Sequence, residues 1–188
     1  MDPVPITYVR HAMAVIDEAV HPTEWHLDEA ARHAAAALAD TLEVAGGLGA
    51  LVSSTEPKAM ETAEMIAARW GVEVRPDERL REAVRPWIGP GYRAMAHRYL
   101  RGEAYDAWEP RAEVATRTAS AVDDAVTAAA GRAVVVVTHG LALSLHLNDR
   151  LGGGFDPDVF WSCLAFPDAW VLGGSGLLHR PLPRAPVT

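Results

Sequence analysis

Cysteine is almost absent: of 188 residues, only Cys163 carries a thiol. One thiol cannot close an internal disulfide, so the chain suits a reducing compartment. No stretch is apolar for long enough to span a bilayer. The N-terminus, Met1-Asp2-Pro3-Val4-Pro5, has neither the basic nor the apolar region of a secretory leader, which makes the cytoplasm the expected location. Basic residues are also scarce: 17 Lys and Arg against 25 Asp and Glu leave a formal charge of −8. That balance argues against nucleic acid and anionic membrane as main partners, because both need a basic face. A small phosphate ester needs only a local cluster of cations. There is no internal repeat and no linker, so one domain over residues 1–188 is expected. The hydrophobic content of 49% is ordinary for a globular chain that buries a real core.

Two apolar runs each lead into a histidine. Ile6-Thr7-Tyr8-Val9 enters Arg10-His11, and Val134-Val135-Val136-Val137 enters Thr138-His139-Gly140. Their length and β-branched content predict buried parallel strands. In an open α/β sheet, ligands bind outside the carboxyl ends of the strands. If both strands lie in one parallel sheet, both imidazoles open on one crevice, with an arginine beside them. Such a site suits an anionic substrate.

Between these runs, strands alternate with helices. A loop from about Ala14 to His26 precedes a helix capped by Asp28 and running through Leu42, which Gly46-Gly47 and Gly49 should end. Leu51-Val52 reads as a strand closed by Ser53-Ser54-Thr55. A helix over about Glu56–Trp70 stops at Gly71, and Val72-Glu73-Val74 reads as a strand. Pro76 to Gly91 is irregular. Helices are expected over Tyr92–Leu100, Glu109–Ala130 and Leu141–Leu151. Strand-like pieces cover Phe160–Phe166, Ala169–Leu172 and Leu177–Arg180. Gly173-Gly174-Ser175-Gly176 is a hairpin signal between the last two. The implied fold class is α/β: a mostly parallel central sheet flanked by helices in three layers.

Taken singly, each chemical motif has a bland alternative. Arg10-His11 serves equally well as a surface arginine beside a packed histidine. His139-Gly140 has the same layout, with a helix start that favours an anion. Ser53-Ser54-Thr55-Glu56-Pro57-Lys58 is by itself a capped helix with a solvated lysine. Leu80-Arg81-Glu82 is by itself a loop carboxylate.

Taken in order, these pieces resemble the histidine phosphatase superfamily, whose fold is phosphoglycerate-mutase-like. The resemblance runs from Thr7 to about Leu147. Arg10-His11-Ala12 stands where the family has Arg-His-Gly. Ser53-Ser54 leads to Lys58-Ala59 and Thr62-Ala63, where the family has arginine in place of Lys58. Leu80-Arg81-Glu82 matches Leu-x-Glu, and Thr138-His139-Gly140 matches fully. Pro86-Trp87-Ile88-Gly89 is a partial echo of a family segment that follows the glutamate. Lys58 keeps the charge of the family arginine but lacks its planar two-pronged grip.

The resemblance implies a chemistry. Neutral His11 attacks phosphorus and forms a phosphohistidine. Arg10, Lys58, His139 and the Gly140 backbone N–H hold the phosphoryl group, since phosphoryl transfer is catalysed mainly by positioning and charge. Glu82 protonates the leaving alcohol, and for that it should lie partly desolvated with no close cation. Asp17, His21 and Trp87 are further pocket candidates. A cap is expected over about residues 85–108, where most aromatics should pack in the core. Cofactor and metal are both expected to be none. The implied function is hydrolysis of a small phosphorylated metabolite by a metal-independent phosphomonoesterase of the histidine acid phosphatase type. A phosphoglycerate-type phosphomutase and a noncatalytic phospho-ligand binding module are the alternatives. A metal site on His11, His139 and Glu82 is disfavoured by the neighbouring cations. Cys163 reads as a buried small hydrophobe in a strand, and nothing in the sequence sets an oligomeric state.

Overall fold

The computed structural model describes residues 5–42, 44, 47–173, 176 and 178–181. Strands β1 (Ile6–Arg10), β2 (Leu48–Ser53), β3 (Val74–Pro76), β4 (Ala133–Thr138), β5 (Asp168–Leu172) and β6 (Leu178–His179) form one sheet in the order β3-β2-β4-β1-β5-β6. The first four are mutually parallel, while on one side β5 pairs antiparallel with β1 and β6 pairs antiparallel with β5. Helices α1 (Glu29–Thr41), α2 (Pro57–Trp70), α3 (Tyr92–Leu100), α4 (Arg111–Ala128), α5 (Gly140–Arg150) and α6 (Pro157–Cys163) cover both faces.

Strand β4 shows why the sheet is a middle layer. Side chains alternate across a strand, and all of Val134–Val137 are fully buried. Val134 and Val136 pack toward α4 and α5, with Val114, Val122 and Leu141. Val135 and Val137 pack toward α1 and α2, with Ala39, Ala63 and Ile66. Burying each such side chain on both faces contributes about 1.5–3 kcal/mol. The result is the three-layer α/β arrangement expected from the sequence, with a mostly parallel central sheet.

The helix signals act as read. Asp28 accepts the Ala31 N–H and starts α1, and Gly71 ends α2 at φ 65°. Several boundaries differ. Helix α1 stops at Thr41, before the glycines, and Gly46 lies outside the described residues. Gly49 belongs to β2, where the Ala129 carbonyl and Arg132 Cβ approach so closely that a side chain would collide at 2.7 Å. Strand β3 begins at Val74 rather than Val72. Strands β5 and β6 pair antiparallel as the hairpin signal requires, although Gly174, Ser175 and Leu177 lie outside the described residues.

The largest correction concerns Phe160–Phe166. It is not a strand: α6 spans Pro157–Cys163, capped by Asp156, with Pro157 in its first turn. Phe160, Trp161 and Leu164 turn inward together, at helical spacing. Cys163 ends this helix on its outer side and is exposed, contrary to the expected burial.

Candidate active site

The register of the sheet assembles the site. Arg10 of β1 lies opposite Thr138 of β4, and Ser53 of β2 opposite Val137. The next residues are therefore side by side: the His11 N–H donates to the Thr138 carbonyl at 3.1 Å and the Ser54 N–H to the Val137 carbonyl at 3.0 Å. His11 and His139 meet edge-on, with ring centroids 5.0 Å apart. Both open on a cavity of about 190 Å³ at the carboxyl end of the sheet.

His11 is held by its own backbone neighbour. Nδ1 lies 2.6 Å from the Ala12 carbonyl, which can only accept, so Nδ1 carries the proton. The Nε2 lone pair is left for the cavity. Burial, then His139 and Lys58, push the His11 pKa well below the usual imidazole value, so the ring is neutral at pH 7. His139 is likewise pushed well down by burial, then by the Lys58 and Arg85 charges. Its Nε2 sits 2.7 Å from Ser54 Oγ, while its buried Nδ1 has no partner. Ala12 is itself pinned, its N–H donating to Thr62 Oγ1, which in turn donates to the Lys58 carbonyl.

Arg10 and Gly140 also line the cavity. The Arg10 guanidinium lies 3.4 Å over the Phe166 ring and donates through Nη1 to the Leu164 carbonyl. Burial lowers its pKa to about 10, which leaves it charged at neutral pH. Gly140 starts α5 where a Cβ would stand 2.7 Å from Trp161 Nε1 and 3.2 Å from Arg10 Cζ. Glycine is there for room.

Glu82 reaches the cavity by a built route. Leu80 is fully buried, and Thr138 Oγ1 donates to its carbonyl. Arg117 of α4 donates to the carbonyls of Arg79, Arg81 and Glu82, which braces the segment. The Glu82 carboxylate accepts the N–H groups of Ala83, Leu141 and Ala142, and so caps α5. Among the described residues Glu82 makes no salt bridge, so no cation is in contact with it, as expected. Its charge acts on both Arg10 and Arg85, which share the cavity wall.

Trp87 lines the cavity, edge-on to Trp25 at 4.9 Å. Asp17 and His21 do not line it. Asp17 is exposed and takes the Ala19 N–H, while its carbonyl accepts Trp25 Nε1. His21 is exposed and caps the short 3-10 turn Pro22–Glu24 through Thr23. The loop turns Pro22, Thr23 and Trp25 inward instead. Glu56, Arg85 and Phe166 are among the cavity residues to which the sequence motifs assign no role. Lys58 lies in the cavity but donates to the Pro22 carbonyl at 2.6 Å and to Glu56 Oε2 at 2.5 Å.

Among the aromatics of 85–108, Tyr99 and Trp108 are buried in the core, whereas Trp87 and Tyr92 face the cavity. Among the described residues no cluster of three His, Cys, Asp or Glu side chains is placed to hold a metal ion. Among them, too, no helix is long and apolar enough to cross a membrane.

Comparison with known proteins identifies the family. Residues 6–165 match the model of the histidine phosphatase superfamily, branch 1. Rv0525 of Mycobacterium tuberculosis, an uncharacterized protein, is 35% identical over 138 residues, covering 67% of this chain and 68% of that one. The solved structure of Bacillus stearothermophilus YhfR superposes with a TM-score of 0.75 at 24% identity, over 95% of this chain and 96% of that one. A mycobacterial glucosyl-3-phosphoglycerate phosphatase, Rv2419c, solved with inorganic phosphate, gives 0.71 at 21% identity over 97% of both chains. The chain belongs to the histidine phosphatase superfamily, branch 1.

Proposed function

We propose that this protein is a metal-independent phosphatase that hydrolyses a small phosphate monoester through a phosphohistidine at His11. The observation that carries the reading is the His11 ring itself. Burial keeps it neutral, its Nδ1 is held by the Ala12 carbonyl so that the Nε2 lone pair is left, and it lies beside His139 in a cavity lined by Arg10, Lys58 and Arg85. In the first step Nε2 forms a bond to phosphorus as the phosphorus–oxygen bond to the leaving alcohol breaks. Fixed cations and donors stabilise the charge that spreads over the equatorial oxygens. In the second step water attacks phosphorus and returns the imidazole.

Two carboxylates face the cavity, and their surroundings separate them. Glu56 is engaged through both oxygens, Oε2 by the Lys58 ammonium and Oε1 by the Glu82 N–H. Glu82 Oε2 takes a single N–H, from Leu141 at 3.1 Å, and keeps a lone pair. We assign to Glu82 the proton given to the alcohol and later taken from water.

Hydrolysis is favoured over transfer to a second hydroxyl because the rim is open. Met13 and Ile16 line the cavity, and their residues are 54% and 59% exposed. Water therefore reaches the phosphoenzyme. Above the charged floor the walls are Met13, Ile16, Trp25, Trp87 and Phe166, so the alcohol portion we propose is at least partly apolar.

The test is phosphate release from p-nitrophenyl phosphate in excess chelator, by the native chain and by His11→Ala. Turnover that survives chelation and vanishes in the variant supports the reading. Turnover abolished by chelator contradicts it.

A further inference from the structure

The cavity holds three cations, and they are not equally free. Lys58 is the only lysine of the chain. Two of its three donors are spent, on Pro22 and on Glu56. Its charge is met at contact by a carboxylate buried as deeply as itself. The other oxygen of Glu56 accepts the Glu82 N–H at 2.9 Å. Drawing Lys58 away toward an anion would leave Glu56 buried without its counter-charge, which is strongly unfavourable. Lys58 is thus built into the wall.

Arg85 is placed differently. It follows Glu82 in the irregular segment and lies over the Tyr92 ring, 4.5 Å from its centroid. Its Nη1 donates to the Ala83 carbonyl, and the Tyr92 hydroxyl is its other hydrogen-bonding neighbour among the described residues. Its Nε is buried without a partner, and so is that of Arg10. Neither arginine makes a salt bridge among the described residues. Both line the cavity that holds His11 and His139. A guanidinium with unspent donors in a buried wall needs an acceptor, and a tetrahedral oxyanion matches its planar fork. The Arg85 charge already reaches His139, after burial and Lys58, in keeping that ring neutral.

We propose that the phosphoryl group is gripped by a pair of guanidiniums, Arg10 and Arg85, while Lys58 stays locked to Glu56. Arg85 then supplies the forked grip that lysine lacks at the position where the family has arginine. The assignment rests on the phosphatase reading for turnover, but not for phosphate binding.

The test is calorimetric titration of the full chain with inorganic phosphate, together with turnover of p-nitrophenyl phosphate. Arg85→Ala should weaken phosphate binding and lower kcat/KM by tenfold to on the order of a hundredfold, the effect of losing charged hydrogen bonds. Arg85→Lys keeps the charge and the stem, so it should recover only part of the loss. It also carries the test if thermal melting shows the alanine variant unfolded. The double variant Glu56→Gln with Lys58→Met removes the ion pair and keeps an acceptor for the Glu82 N–H. It should lose less than Arg85→Ala. Native affinity and turnover in folded Arg85→Ala would overturn the clamp and leave the phosphatase standing. Phosphate binding that depends on Arg85 in a chain without turnover would uphold the clamp and sink the phosphatase.

Discussion

The Nδ1 atom of His11 lies 2.6 Å from the carbonyl oxygen of Ala12, the next residue in the chain. This contact sets the tautomer, because a carbonyl accepts and cannot donate. Only Nε2 retains a lone pair, so the phosphoryl group should be found on Nε2. Nuclear magnetic resonance of the trapped, nitrogen-15-labelled phosphoenzyme distinguishes the two ring nitrogens. A phosphoryl group on Nδ1 would contradict the orientation described.

The same burial governs how activity depends on pH. An imidazole is a nucleophile only when neutral, and the His11 pKa lies well below the ordinary value of 6.5. The acid limb of kcat/KM that belongs to His11 should therefore fall below pH 6.5. Rates of phosphoenzyme formation measured from pH 4.5 to 8 check this. An enzyme already failing at pH 7 as acid is added would indicate a solvated histidine.

Stability should respond to acid as well. His11, His139 and His146 are all buried with lowered pKa values. His146 faces the Tyr8 hydroxyl at 3.0 Å, and burial brings its pKa to about 4. The unfolded chain binds these protons near pH 6.5 and the folded chain resists them. Stability is thus full above pH 6.5 and is lost as pH falls toward the folded values. At about 1.4 kcal/mol per pKa unit, His146 alone accounts for about 3 kcal/mol between pH 6.5 and 4. Urea titrations at pH 7.5, 6, 5 and 4 should show that decline. Constant stability across the range would mean that the three rings are not buried in neutral form.

Gly140→Ala is a small change in a full space. The new methyl would meet Trp161 and Arg10 at 2.7 and 3.2 Å, and both are buried. Overpacking of this kind typically costs about 1–3 kcal/mol. Because one displaced group is a clamp arginine, kcat/KM should fall at least tenfold, an order-of-magnitude expectation for misplaced catalytic groups. Chemical denaturation and steady-state kinetics measure the two effects. A variant with native stability and turnover would contradict the close approach.

Much of this site was legible because it sits on strands. Apolar runs of strand length carry His11 and His139 to one edge, and parallel pairing of β1 with β4 makes them neighbours. The parts that escaped sit on loops, whose direction comes from distant contacts. Arg85 follows a segment braced by Arg117 from α4, and that brace has no local signature. Asp17 and His21 were natural candidates in a polar loop. The isolated bridge of Ala14 with Leu27, and the Trp25 bond to the Asp17 carbonyl, instead turn the loop so that Trp25 faces in. The Phe160 segment carried a usable signal. An aspartate cap, a proline in the first turn and apolar residues at 157, 160, 161 and 164 spell a short helix, but β-prone residues outweighed that spacing.

The central claim is that His11 carries the phosphoryl group, and rapid quenching tests it most directly. The native chain, mixed with p-nitrophenyl phosphate in chelator and stopped within milliseconds, should hold one acid-labile phosphoryl group, located at His11 by mass spectrometry. His11→Ala should hold none. Turnover without a phosphorylated His11, or a label that persists in the variant, would contradict the account.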